Sequence, residues 1–284
     1  MVIQWFPGHM SKALRQVEEK LKYVDIILEL RDCRIPFSSR NPKIETIIKN
    51  KPRLILLNKA NMADRKKTNE WIAYYKEKQL TALAIDSISS YHMDQIIPYA
   101  KDVLKDQLRR EKEKGLKARP VKAMIIGIPN VGKSTLINTL AKRKVAQTGD
   151  RPGVTKNLQW INVKNEMMLL DTPGVLWPKF EDQTVGLRLA VTGAIKDKIL
   201  PLDDVAIYAL DFLKTNYPQQ LKERYKLDEL SDNNLEIMEK IGRNRGCLLP
   251  GNRVNYDKVI DLILYEIRNE MLGKLTLEIP SEIE

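Results

Sequence analysis

The segment Gly127-Ile-Pro-Asn130-Val131-Gly132-Lys133-Ser134, followed by Thr135, has the spacing GxxxxGK[ST]. Residues of these types at that spacing can hold a polyphosphate. The glycines let backbone N–H groups curl around phosphate oxygens, and a helix starting here adds the positive end of its dipole. Lys133 supplies a point charge to the outer phosphates, and the Ser134 hydroxyl is suited to Mg²⁺. A β-type run, Val121–Ile126, precedes the segment and a helix-compatible stretch, Thr135–Lys142, comes after it. Further on, Asp171-Thr-Pro-Gly174 ends another apolar run, as a DxxG motif should. Asp171 can hold the metal through water, and the Gly174 N–H can sense a γ-phosphate. Between them, Gly153-Val154-Thr155 either offers a further hydroxyl to Mg²⁺ and γ-phosphate or is an ordinary polar loop.

Base recognition falls to Asn58-Lys59-Ala60-Asn61, after the apolar run Leu54–Leu57. In the motif NKxD the Asp accepts from guanine N1–H and N2–H₂, while the Lys packs over the base. Here Asn61 takes the fourth place. Its amide oxygen accepts one such bond, but its NH₂ faces a guanine donor unless it turns away. The next apolar run ends at Asp86-Ser87, where a second base-contacting loop belongs, so guanine is favoured with weaker discrimination. The order of motifs is base loop, second base loop, P-loop, switch threonine, DxxG. GTPases ordinarily place the phosphate motifs first, so the chain reads as a circular permutation.

These residues need a sheet to converge them. Apolar runs at 25–30, 54–57, 80–85, 121–126, 158–163 and 166–170 alternate with helix-length polar segments, the signature of a mostly parallel sheet covered on both faces. Ligands bind at the carboxyl ends of such strands. Residues 105–122 carry eight Lys/Arg against three Asp/Glu, and read as a charged helix and a basic linker joining the old termini. After about Pro178 the pattern turns helical. Ile260, Ile263, Leu264, Ile267 and Met271 form one stripe at helical spacing, a packed core face. The reading is therefore an α/β, doubly wound, permuted P-loop GTPase domain over 1–178, then a smaller all-helical domain over 179–284.

Composition fits this and excludes other classes. With 284 residues, 43% hydrophobic and 30% charged, the chain can bury ordinary cores. No run approaches the roughly 18 apolar residues of a membrane span. The opening residues lack a basic region followed by an apolar run, so no signal peptide is expected. Cys33 and Cys247 suggest neither a disulfide framework nor a metal cluster. A cytoplasmic protein without a membrane partner is the simplest reading. The formal charge of +11 attracts polyanions. In the helical part Arg243, Arg245, Arg253 and Lys258, with Arg268 and Lys274, make either a solvated basic face or an RNA-binding one.

Trp5-Phe6-Pro7-Gly8-His9-Met10, Asp32-Cys33-Arg34-Ile35-Pro36 with Ser38-Ser39-Arg40-Asn41, the permuted motifs and Gly242-Arg243-Asn244-Arg245-Gly246 together resemble the circularly permuted YlqF/YawG-type GTPases over the whole chain. The resemblance implies a cytoplasmic GTPase acting late in large-subunit ribosome assembly. It implies contacts to GTP from Asn58–Asn61, Asp86–Ser87, Asn130–Thr135 (through Val131, Gly132, Lys133 and Ser134) and Gly174. Its partners would be GTP/GDP, the large-subunit precursor and rRNA, with the protein a monomer in solution. Asn61 and Cys33 depart from the family pattern, at positions where Asp is usual and Ala common; the second is expected to be harmless.

Where many GTPases carry a water-orienting Gln after DxxG, this chain has Val175 and Leu176, and the family resemblance agrees. Turnover should be slow until a partner or another residue completes the site. Asn130 resembles an asparagine that coordinates K⁺ in cation-activated relatives, and otherwise shapes the loop. His9, in the aromatic N-terminal segment, can orient or deprotonate water if it reaches the γ-phosphate. His92 reads as surface. The rivals are a P-loop ATPase with relaxed base choice and a nucleotide-regulated RNA-binding scaffold whose hydrolysis is incidental.

Overall fold

The computed structural model describes residues 9–48, 50–143, 159–177, 180, 182–197 and 200–283. The chain divides into two compact units. The larger runs to residue 181 and takes back the tail from Glu278; the smaller is Asp182–Leu277.

The larger unit is built on β1 (Ile26–Asp32), β2 (Arg53–Asn58), β3 (Thr81–Ala84), β4 (Val121–Gly127), β5 (Trp160–Val163) and β6 (Met167–Asp171). They lie in the order β3-β2-β1-β4-β6-β5, all parallel except the edge strand β5. The apolar runs become these strands because both faces are covered, so continuous rather than alternating burial is stable. In β1 every residue is buried. Its three charged members are tolerated because they pair: Arg31 Nε donates to Glu29 Oε1 at 2.7 Å and Nη1 to the Tyr75 hydroxyl at 3.0 Å, and Asp32 Oδ2 accepts from Arg34 Nη2 at 2.8 Å. Glu29 is also held by Arg53 at 3.0 Å.

The connecting helices are α1 (His9–Lys20), α2 (Pro42–Ile48), α3 (Arg65–Glu77), α4 (Ile96–Val103), α5 (Lys105–Glu113) and α6 (Lys133–Ala141). Asp64 caps α3 by accepting from the Lys66 and Lys67 N–H groups. The buried face of α3, Thr68, Trp71 and Tyr75, joins Cys33, Ile55 and Leu57 in the core. The basic segment 105–122 resolves into α5, an extended stretch and the start of β4. Its end is fixed where Arg119 grips Asp25 with two bonds, at 2.7 and 2.9 Å.

The smaller unit holds α7 (Gln183–Val191), α8 (Leu202–Asn216), α9 (Pro218–Tyr225), α10 (Asn234–Asn244) and α11 (Tyr256–Arg268). Besides helices it contains one antiparallel pair of two-residue strands, β7 (Leu248–Leu249) and β8 (Arg253–Val254). So short a ladder leaves no periodic trace in a sequence. The expected stripe holds for Ile260, Ile263, Leu264 and Ile267, all buried on α11. Met271 does not belong to it, being 43% exposed beyond the helix end.

One assignment changes. The sequence places everything after 178 in the second domain, yet the tail from Glu278 onward belongs with the larger unit. The Glu278 carboxylate accepts from the backbone N–H groups of Phe37 and Ser38 and, at 2.6 Å, from the Ser38 hydroxyl. Trp71 Nε1 donates to the Glu278 carbonyl at 3.0 Å. Both cysteines are buried and free, and burial pushes the Cys33 thiol up to about 12. Among the described residues no helix is long and apolar enough to cross a membrane.

Candidate nucleotide-binding site

Register brings the motif-bearing strand ends to one edge. Leu30 lies opposite Gly127, Ile125 opposite Asp171, Asp32 opposite Asn58, and Leu57 opposite Ala84. The loops after β2, β3, β4 and β6 therefore emerge together although their chain order is permuted.

The P-loop closes tightly on its neighbours. A Cβ at Gly132, whose φ is 102°, would sit 2.3 Å from Asn58 Nδ2. One at Gly174 would sit 2.9 Å from both Lys133 Nζ and the Pro129 nitrogen. Only glycine fits at either place. Asn130 has φ 59°, a left-handed conformation that asparagine tolerates, which supports its loop-shaping role. Lys133 opens α6 and is buried, with Nζ donating to the carbonyls of Gly127 at 3.0 Å and Ile128 at 2.9 Å. Burial brings its ammonium down to about 8, opposed by the carboxylate of Asp171. Ser134 and Thr135 come next in the first turn, half-buried.

Asn58 joins the phosphate and base loops. Its Nδ2 donates to the Val131 carbonyl at 2.8 Å, and its Oδ1 accepts from the Ser87 N–H and hydroxyl at 3.0 and 2.8 Å. Lys59, also left-handed at φ 63°, donates to Asp32 Oδ2 and to the Asn130 carbonyl, each at 2.9 Å. Burial alone would raise the Asp32 carboxyl, but Arg34 and Lys59 hold it well below the usual range. Ala60 N donates to the Ile85 carbonyl at 3.0 Å, setting the two base loops side by side. Asn61 is exposed, whereas Asp86 and Ser87 are buried. Thr139 on α6 donates to the Ser87 carbonyl at 2.8 Å.

The DxxG segment is anchored from below. Thr172 Oγ1 donates to the Ile125 carbonyl at 2.6 Å, and Asn41 Nδ2 to the Val175 carbonyl at 2.8 Å. Val175 and Leu176 are fully buried, so the position that often carries a Gln is part of the core. Thr155, with Gly153 and Val154, lies outside the described residues, and the side chain of His9 does too, although the residue opens α1. His92 is exposed, its Nδ1 3.1 Å from the Ala84 carbonyl.

The structure thus gathers Asn58–Asn61, Asp86, Ser87, Asn130–Thr135, Asp171 and Gly174 at neighbouring strand ends. Sequence reasoning missed the supports: Asp32 under Lys59, Asn41 on Val175, and Ser39, whose hydroxyl accepts from the Asp32 N–H at 2.9 Å. The available signals were the density of charged and polar residues straight after β1 and the place of Asp32, Ser39 and Asn41 in the segments that carry the family resemblance, neither of which states what they hold. The arrangement offers backbone N–H groups and an ammonium to phosphates, and hard oxygen donors from Ser134 and Asp171. Among the described residues no cluster of three His, Cys, Asp or Glu could cage a metal.

The proposed RNA residues lie in the smaller unit. Arg243 pairs with Glu239 at 2.6 Å. Arg245 and Arg224 both reach Glu266, which is 1% exposed, so Arg245 has a structural partner already. Arg253 and Lys258 are exposed. Arg268 is bidentate to Asp197, at 2.8 Å on each arm.

A family model described as "50S ribosome-binding GTPase" matches residues 122–242. The match starts in β4, leaving Asn58–Asn61 and Asp86–Ser87 upstream of it, as permutation requires. The chain is 58% identical over 285 residues to ribosome biogenesis GTPase A of Priestia megaterium, covering 100% of this chain and 99% of the relative. It is 57% identical over 282 residues to the Bacillus cereus protein of that name, covering 99% and 95%. Mitochondrial ribosome-associated GTPase 1 of Xenopus tropicalis is 35% identical, over 80% of this chain and 75% of its own. The crystal structure of GNP-bound YlqF from T. maritima shares the fold, with TM-score 0.67 and 24% identity over 95% of this chain and 98% of that one.

Proposed function

The chain belongs to the ribosome biogenesis GTPase A family, and on that premise we propose that it hydrolyses GTP to GDP and phosphate as an assembly factor in late maturation of the large ribosomal subunit. It works in the cytoplasm as a monomer, and GTP governs its hold on the pre-ribosome and its rRNA. The observation that carries this reading is the convergence of P-loop, DxxG and both base loops at one sheet edge.

Two features of the donor set fit Mg²⁺. The carboxylate of Asp171 is 5% exposed and close enough to influence the Lys133 ammonium. Ser134 is half-buried in the first turn of α6. One hydroxyl and one carboxylate, without an all-protein cage, suit a small hard cation that takes its other ligands from water and phosphate. Ser134 would bind it directly and Asp171 through water, and Thr155 would offer a further hydroxyl. When bound, the ion would neutralise phosphate charge.

The chain's own residues do the rest. Lys133 leaves the Gly127 and Ile128 carbonyls for the outer phosphates, gaining a full charge partner. The amides of Asn130–Thr135 cradle the phosphates, and the Gly174 N–H reports the γ-phosphate. Lys59, held by Asp32, supports the base. Val175 can neither donate to nor accept from water, so the free protein holds its nucleotide and turns it over slowly. A partner, His9 or K⁺ near Asn130 completes the site. On the smaller unit Arg253, Lys258 and the exposed part of Arg243 face phosphate backbone; Arg245 contributes less because Glu266 engages it.

Relaxed base choice is a second reading with its own observation, the exposed amide of Asn61. Co-sedimentation with large ribosomal subunits under a non-hydrolysable GTP analogue, GDP or no nucleotide tests the main one. Pelleting with the analogue and release with GDP is expected, weakening as salt rises. Equal pelleting in all three conditions would contradict nucleotide control.

A further inference from the structure

Position 61, where a carboxylate reads guanine in the NKxD motif, holds an amide. One residue beyond the adjacent backbone bond, Ala60 N to the Ile85 carbonyl at 3.0 Å, a carboxylate does occur: Asp86. It is 2% exposed. Its Oδ1 accepts from the Ile88 N–H at 2.8 Å and, more weakly, the Ser89 N–H at 3.4 Å, forming a tight turn. Its Oδ2 is buried with no hydrogen-bond partner among the described residues. A buried carboxylate oxygen without a donor is costly and calls for an explanation. The turn uses one oxygen only, so it does not explain the second. Asp86 also lies inside the base-reading cluster: the next residue, Ser87, is bonded to Asn58 through both its N–H and its hydroxyl.

We infer that Asp86 is the specificity-determining residue for guanine, its free carboxylate oxygen accepting from the base's Watson–Crick donors in place of the side chain missing at position 61. Guanine presents N1–H and N2–H₂ there. The Asn61 amide has one acceptor and one donor, and its NH₂ matches a carbonyl better than an amine at C2. Asn61 alone would thus favour xanthine, which carries a carbonyl at C2. A carboxylate from Asp86 reverses that preference, because it accepts from an amine and repels a carbonyl. Asp86 is buried, so contact requires the exposed turn Ile88–Tyr91, bonded back through Asp86 N and the Tyr91 carbonyl at 3.1 Å, to shift as the base enters. Asp86 can play this part only if the cleft binds a guanine nucleotide as proposed above.

The test is displacement of a ribose-labelled fluorescent GDP by GTP, XTP and ITP from the full chain and from Asp86→Asn, Asn61→Asp and the double variant. The Asp86→Asn amide keeps the turn acceptor and changes only the unpaired oxygen. The wild type should prefer GTP to XTP and to ITP, which lacks the N2 amine. Asp86→Asn should lose GTP affinity by about 10- to 100-fold, the worth of hydrogen bonds to a charged acceptor, and bind XTP at least as well as before. Adding Asn61→Asp to it should restore preference for GTP. A GTP:XTP ratio that stays within about twofold on Asp86→Asn would overturn the inference, as would a wild type that prefers XTP. Should Asp86→Asn melt far below the wild type, the wild-type GTP:ITP ratio decides, and parity overturns it. Failure of the underlying nucleotide reading looks different: no triphosphate displaces the probe, or Lys133→Ala leaves all three unaffected.

Discussion

Lys133 sets the energetics of the site at the scale of one residue. Its ammonium is buried against two carbonyls and brought down to about 8, from an ordinary value near 10.5 in the unfolded chain. Below pH 8 both states carry the charge, and the folded state bears the full desolvation penalty. Between about pH 8 and 10.5 the unfolded chain binds the proton that the folded one has released, so stability rises with pH through that window. Relative to Lys133→Met, the nucleotide-free protein should gain up to about 3 kcal/mol across it, measured by urea denaturation at each pH. Parallel curves for the two proteins would show that the ammonium is not buried. The residues facing phosphate were legible in the sequence because phosphate chemistry restricts which types can stand there. Asp32 under Lys59 was not, since its role is to orient another side chain and any local motif leaves that open. Nor was the burial of Asp86, which depends on the fold of the turn after it.

Among elements, the strands were legible as apolar runs with polar residues at their ends, and register then carries those ends to one edge. The tail was not. Glu278 is separated from Ser38 by 240 residues, and no periodicity announces a pairing of that range. Its buried carboxylate satisfies two backbone N–H groups and a hydroxyl in the loop between β1 and α2. The same loop, through Asn41, reaches the Val175 carbonyl behind DxxG. Glu278→Ala leaves those donors buried and unpaired, and should cost the larger unit about 3 kcal/mol; Glu278→Gln, which keeps one acceptor, should cost less. Urea denaturation followed by tryptophan fluorescence reads this through Trp71, which bonds the Glu278 carbonyl. Unchanged midpoints would reduce the tail to an incidental contact. The two-residue strands of the smaller unit and the early end of the α11 stripe were equally hidden. Both are set by tertiary packing over distances shorter than a period.

For the whole molecule, permutation has a consequence beyond chain order. The segment after DxxG leads in sequence into the smaller unit, whereas in the usual order it would lead to the next strand. The charge of +11 favours a polyanionic partner, although the ion pairs of Arg245 and Arg268 show that basic residues counted from sequence overstate the free charge. Val175 is locked in the core, so on the proposed reading the water-orienting group comes from elsewhere: a partner, His9 or K⁺ near Asn130. The proposed function has this GTPase completed on the ribosome. Single-turnover hydrolysis of GTP, in potassium buffer with and without purified large ribosomal subunits, tests it most directly. Slow turnover alone and acceleration of about tenfold or more on the subunit is the predicted result; the same rate in both conditions would contradict it.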